Sequence, residues 1–167
     1  MDYRQPPETA PASAQLSTSI ANVRLDAYPS CRGILFDQPQ VVEEAPLHSR
    51  MERVGGDFFA EIPIQATAYL LRWIIHDWDD DKAISILENV RKAAQPGARL
   101  LLVESVIPET SEFDMSKWMD MNMLVMAGGR ERTAAEFREL YNQAGFELEQ
   151  IVPTPSPLSI VIGNSRT

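Results

Sequence analysis

The chain has 167 residues, 44% of them hydrophobic, and a formal net charge of -9. That length suits one domain with a real core, and the acidic balance speaks against nucleic acid and anionic membranes, whose ligands leave a basic footprint. A single cysteine, Cys31, excludes an internal disulfide and points to a reducing cytoplasm. No apolar run approaches the ~18 residues of a membrane span. The N-terminus has neither the basic start nor the apolar stretch of a secretory signal.

Residues 1–19 are rich in Pro, Ala, Ser and Thr and read as a flexible tail, with the folded part running over 20–167. Ile20 to Tyr28 fits the end of a helix that Pro29 stops. Gly33 to Asp37 is a short apolar run closing on a carboxylate, the pattern of a buried parallel strand. Val41 to Ala45 fits a short helix, and Arg50 to Asp57 a short strand that closes on Gly55-Gly56 and an acid. Thr67 to Ile75 is the next strand, leading into His76-Asp77-Trp78. Asp79 or Asp80 then caps a helix, because a carboxylate there accepts free backbone N–H groups. Ala83, Ile86, Leu87, Val90 and Ala94 share one face of it, and Pro96-Gly97 ends it.

Arg99 to Glu104 is the clearest buried strand and again ends in an acid. The Met-rich stretch from Met115 to Met126 reads as a helix. Thr133-Ala-Ala-Glu136 is a capping box opening a helix with Phe137, Leu140, Tyr141 and Ala144 on its apolar face, and Gly145 stops it. Phe146 to Val152 and Leu158 to Ile162 fit an antiparallel hairpin across a Pro-rich turn. Strands alternating with helices predict an α/β fold: a mostly parallel sheet, flanking helices and a C-terminal antiparallel hairpin. Ligands of such sheets bind beyond the carboxyl ends of the strands, where Asp37, Asp57, His76 and Glu104 all fall.

Each of these residues has a functional and a purely structural reading. Asp37 can accept two hydrogen bonds from a ribose diol, or simply form a turn. Asp57 follows two glycines, so a ligand can approach closely, or the three residues are only a turn. Phe58 and Phe59 can stack on a purine or fill a core. His76 is one of two histidines; a neutral imidazole can take a proton from a phenol or hydroxyl, and Glu104 or Glu131 can hold its tautomer. Its plain alternative is packing or capping at the start of a helix. The stripe Met115, Met119, Met123 and Met126 fits an adaptable wall for an aromatic substrate or an ordinary core face. Asp79, Asp80 and Asp81 fit a helix N-terminus better than a cation site, and two histidines with one cysteine offer little for zinc.

In order and spacing, several strings resemble the plant caffeic-acid and acetylserotonin type of O-methyltransferase and its bacterial relatives. They are Arg32-Gly-Ile-Leu-Phe-Asp-Gln-Pro39, Val54-Gly-Gly-Asp-Phe-Phe59, Leu70-Leu-Arg-Trp-Ile-Ile-His-Asp-Trp78, Leu101-Leu-Val-Glu104, Gly128-Gly-Arg-Glu-Arg-Thr133 and Ala144-Gly-Phe146. The resemblance implies a Rossmann-like class I domain using S-adenosylmethionine, with His76 as general base and Glu104 and Glu131 flanking it. It further implies Asp37 on the ribose hydroxyls, Asp57 and Phe58 on the adenine, Arg72 near the cofactor, and Met123 and Met126 toward a small hydroxylated substrate. No metal is implied, and the family is homodimeric.

Two departures stand out. The family opens its cofactor domain with a strand and a glycine-rich loop, whereas the first glycine here is Gly33. The family's N-terminal helical dimerisation domain has no counterpart. A domain truncated at its first strand is therefore expected, with 17–25 filling the gap as an irregular strand. The competing expectation is a non-catalytic remnant or partner of a full-length relative. A nicotinamide oxidoreductase would need a G-x-G-x-x-G turn, which the sequence lacks.

Overall fold

Parallel pairing of the apolar run Gly33–Asp37 with the mixed polar and apolar run Met51–Gly55 builds the first of two sheets. The structure, a computed structural model, describes residues 25–46, 48–126 and 128–166, with the backbone alone at Met126. The expected tail over 1–19 and most of the expected gap-filling segment, 17–24, lie outside the described residues; Leu25, its last residue, is helical. The chain forms two compact units that divide between Glu61 and Ile62.

The first unit contains β1 (Gly33–Asp37), α1 (Pro39–Glu44) and β2 (Met51–Gly55). β1 and β2 pair in parallel from Gly33 opposite Met51 to Asp37 opposite Gly55. Pro39 opens α1, where its missing N–H is no loss, and Val41 and Val42 bury the helix face with Leu25, Ala45 and Met51. Arg50 gathers the preceding loop by donating from Nη1 to the carbonyls of Tyr28, Pro29 and Cys31.

The second unit contains β3 (Ala68–Arg72), a 3-10 turn (Ile75–Asp77), α2 (Asp80–Ala93), β4 (Arg99–Ile107) and α3 (Met115–Met126), followed by β5 (Arg132–Thr133), α4 (Ala134–Gln143), β6 (Phe146–Pro153) and β7 (Leu158–Ser165). Its strands run in the order β3-β4-β7-β6, with β5 paired to the far end of β4. β3 and β5 lie parallel to β4, while β7 is antiparallel to both β4 and β6. The predicted hairpin therefore exists, and its second strand inserts beside β4. With neighbours on both sides, β4 is the buried centre of this unit.

Local signals set the helix ends. Asp79 caps α2 by accepting from the Lys82 amide at 2.9 Å, and Ala83, Ile86, Leu87 and Val90 are buried. Thr133 and Glu136 form the capping box of α4, which ends before Gly145 at φ 81°. Two strand ends differ from expectation. β3 stops at Arg72, because Trp73 takes φ 52° and turns the chain out of the ladder. β4 continues past Glu104 to Ile107, because Ser105 pairs with Leu158 and Val106 with Arg132. Among the described residues no helix is long and apolar enough to cross a membrane.

Candidate active site

The break at Trp73 creates the site. The chain leaves β3 with two amides, Ile74 and Ile75, facing the neighbouring strand. Glu104 on β4 meets both: its Oε1 accepts from each at 3.0 Å. The 3-10 turn that follows carries His76. The imidazole Nδ1 lies 3.1 Å from Glu131 Oε1 and Nε2 lies 3.4 Å from Asp77 Oδ1. The ring stacks on Trp73, with centroids 6.3 Å apart and planes 13° from parallel.

The opposing wall is the segment Gly128–Thr133. Gly128 has φ 71°, and Gly129 lies against the turn so closely that a Cβ would come 2.0 Å from the His76 carbonyl oxygen. The Arg130 amide donates to that same oxygen at 2.9 Å. The Glu131 amide donates to Asp120 Oδ1 at 2.9 Å, fixing the acid from α3.

Burial sets the electrostatics. Glu104 is fully buried, and desolvation raises its pKa to about 7 against the pull of His76 and of its two amides. Desolvation lowers the His76 pKa, but the Glu131 hydrogen bond and the charges of Glu104, Glu131 and Asp77 outweigh it, so the net direction is up. Asp77 is raised, first by desolvation. In the tautomer that donates Nδ1–H to Glu131, Nε2 keeps its lone pair and can accept a proton. His76, Glu104 and Glu131 offer ligand atoms within 4.8 Å of one another. Nδ1 and the first oxygen of each acid are already engaged. Oε2 of Glu104 and of Glu131 is buried without a hydrogen-bond partner.

Of the residues singled out in the sequence, His76, Glu104 and Glu131 come together. Glu131 makes the ring contact, while Glu104 holds the backbone that leads into the histidine. Arg72 ends β3 with its guanidinium 4.9 Å from the Trp73 ring centroid and its Nε buried without a hydrogen-bond partner. Met123 is half-buried on α3, and the side chain of Met126 lies outside the described residues. In the first unit, Asp37 is half-buried at the end of β1 and accepts from the Gln38 amide at 2.8 Å. Desolvation raises its pKa, with the Gln38 bond opposing. Asp57 is exposed and accepts from the Phe59 amide at 2.8 Å, and the Phe58 and Phe59 rings tilt against each other at 4.9 Å. The sequence reading missed Asp77, Asp120 and Arg132. Arg132 is 1% exposed, and the only signal for it was its place in the Gly128 to Thr133 string.

The family model described as an O-methyltransferase domain matches residues 17–147. The phenazine O-methyltransferase PhzM of Lysobacter antibioticus is 47% identical over 144 residues, a stretch spanning 82% of this chain and 42% of that protein. A crystal structure of LaPhzM superposes with a TM-score of 0.86 at 43% identity, covering 92% of this chain and 48% of that one. Human N-acetylserotonin methyltransferase, solved in complex with S-adenosylmethionine, gives 0.82 at 29% identity over 89% of this chain and 45% of that one. The chain thus spans less than half the length of these relatives, and it belongs to the O-methyltransferase domain family.

Proposed function

We propose that this chain carries the catalytic machinery of an O-methyltransferase that moves a methyl group from S-adenosylmethionine to a hydroxyl of a small aromatic molecule. The observation that carries this reading is the buried imidazole of His76, held at Nδ1 by Glu131 on a turn that Glu104 braces. The aromatic character of the acceptor is supported by the phenazine named for PhzM. A cytoplasmic setting goes with the single cysteine, and homodimerisation with the family resemblance.

When bound, S-adenosylmethionine supplies a methyl group already activated on a sulfonium, so placement and one proton transfer supply much of the catalysis. The candidate residues fit it chemically. Asp37 would take the ribose hydroxyls, Asp57 and Phe58 the adenine, and Arg72 brings a guanidinium whose Nε has no partner of its own. His76 Nε2 accepts the proton of the substrate hydroxyl. Glu131 accepts from Nδ1–H and stabilises the imidazolium as it forms, and Met123 contributes a deformable wall for the acceptor. Because the His76 pKa is raised above 6.5, the base is increasingly protonated toward acid, and turnover climbs as pH rises through its folded value.

Titration calorimetry with S-adenosylmethionine, followed by an assay for S-adenosylhomocysteine with a phenolic acceptor, tests the reading. Binding heat and turnover are expected; His76→Gln abolishes turnover and leaves binding largely intact. No heat at high cofactor concentration sinks cofactor use and favours the non-catalytic partner. Full turnover in the variant removes His76 from the role of base.

A further inference from the structure

Arg132 is a fully charged side chain with almost no access to water, and a buried guanidinium is costly unless its donors are spent. Here they are spent mainly on one short stretch of chain, with Nη1 also reaching the Arg130 carbonyl at 3.3 Å. Nη1 donates to the Ile75 carbonyl at 3.0 Å, Nη2 to the Trp78 carbonyl at 2.9 Å, and Nε to Asp80 Oδ1 at 2.9 Å. These three partners bracket His76 on both sides. The residue before Arg132 is Glu131, the acid on the His76 ring. Gly129 and Arg130, just ahead, touch the His76 carbonyl.

We propose that Arg132 is the positioning residue that sets the distance between the His76 ring and Glu131. Its planar fork spans two carbonyls of the turn, and its own backbone carries the acid, so one side chain fixes both members of the pair. Lysine cannot replace it, because a single ammonium cannot reach two carbonyls and a carboxylate with the same directional geometry. The consequence for catalysis rests on the reading of His76 as the base, whereas the positioning itself does not.

The test reads the His76 ring by NMR in the full chain, without turnover. Arg132→Lys keeps the positive charge and releases the fork. The expected result is a downward shift of the His76 titration midpoint by roughly half a pH unit or more as the ring leaves Glu131, and loss of the slowly exchanging Nδ1 proton. A merely electrostatic role predicts no downward shift, since the charge stays and removing it would push the midpoint up. Leu87→Ala, a destabilising core change in α2, should leave the His76 titration where it is. Should the lysine variant not fold, Asp80→Asn loosens one arm of the fork, and faster exchange of the Nδ1 proton is expected. An unchanged midpoint and unchanged Nδ1 exchange in a folded variant overturn the assignment. Where turnover is measurable, Arg132→Lys lowers kcat about tenfold or more with little change in acceptor KM. If His76 proves not to be the base, kcat is unaffected while the ring shift persists.

Discussion

The β1–β2 sheet and the β3-β4-β7-β6 sheet begin from the same kind of sequence, a short apolar run that closes on an acid, and arrive at different physical states. In β1 no residue is buried and Ile34 is exposed. In β4 the run from Leu100 to Val103 is flanked by strands on both sides and β7 continues along Glu104 and Ser105; Leu100, Leu102, Val103, Glu104 and Ser105 are all buried. The chemistry assigned to each follows. A carboxylate that must grip hydroxyl groups, as proposed for Asp37, has to stay reachable and charged. A carboxylate that must tune a proton has to be dry, because burial is what moves its pKa toward neutrality, as it does for Glu104.

Paired truncations put this contrast under the greatest load. Leu102→Ala, at a position with 0% exposure, is expected to cost about 2–5 kcal/mol, and Leu35→Ala in β1 under about 2 kcal/mol. Urea denaturation of both decides it, and equal losses would erase the difference between the sheets. The second test is pH. Glu104 in the folded chain keeps its proton to about 7, against an ordinary 4.5. Over that window the unfolded chain has already released a proton that the folded chain retains, so stability falls as pH rises and levels off above about 7. His76 acts in the same sense: its folded pKa lies above 6.5, so its contribution is full below 6.5 and fades as pH rises through the folded value. Glu104→Gln should flatten the decline, at most a few kcal/mol in all, seen in denaturation midpoints taken from about pH 5 to about pH 8. A variant that keeps the full wild-type slope would relocate the proton. The smallest effect is expected at the capping box, where Thr133→Ala costs about 1 kcal/mol in thermal unfolding. A cost near that of Leu102→Ala would mean that α4 anchors the Glu131 segment more than β4 does.

Much of this architecture was legible in the sequence, because it rests on local rules. The run into Asp37, the cap at Asp79, the capping box at Thr133 and the stop at Gly145 each need only a few neighbouring residues to be recognised. The site was legible as a set of residues and illegible as a geometry. Trp73 breaks β3 with a left-handed backbone that no bulky residue advertises. Glu104 looked like a strand end because it is the acid that closes an apolar run, yet the strand continues on pairing partners more than 25 residues away in sequence. Arg132 was hidden for the same reason: the carbonyls that justify burying it lie 57 and 54 residues earlier. A buried charge is explained by its partners, and those partners are set by the fold.

The stacking of His76 on Trp73 also gives the molecule an optical handle. The Trp73 indole lies 6.3 Å from the imidazole and 4.9 Å from the Arg72 guanidinium. Imidazolium quenches indole emission more strongly than neutral imidazole does, so the brightness of this tryptophan follows the charge on His76. The chain also carries Trp78 and the exposed Trp118, so Trp78→Phe with Trp118→Phe isolates the Trp73 signal. The ionisation of the proposed base is thereby written into the intrinsic fluorescence of the chain, readable without label, substrate or turnover.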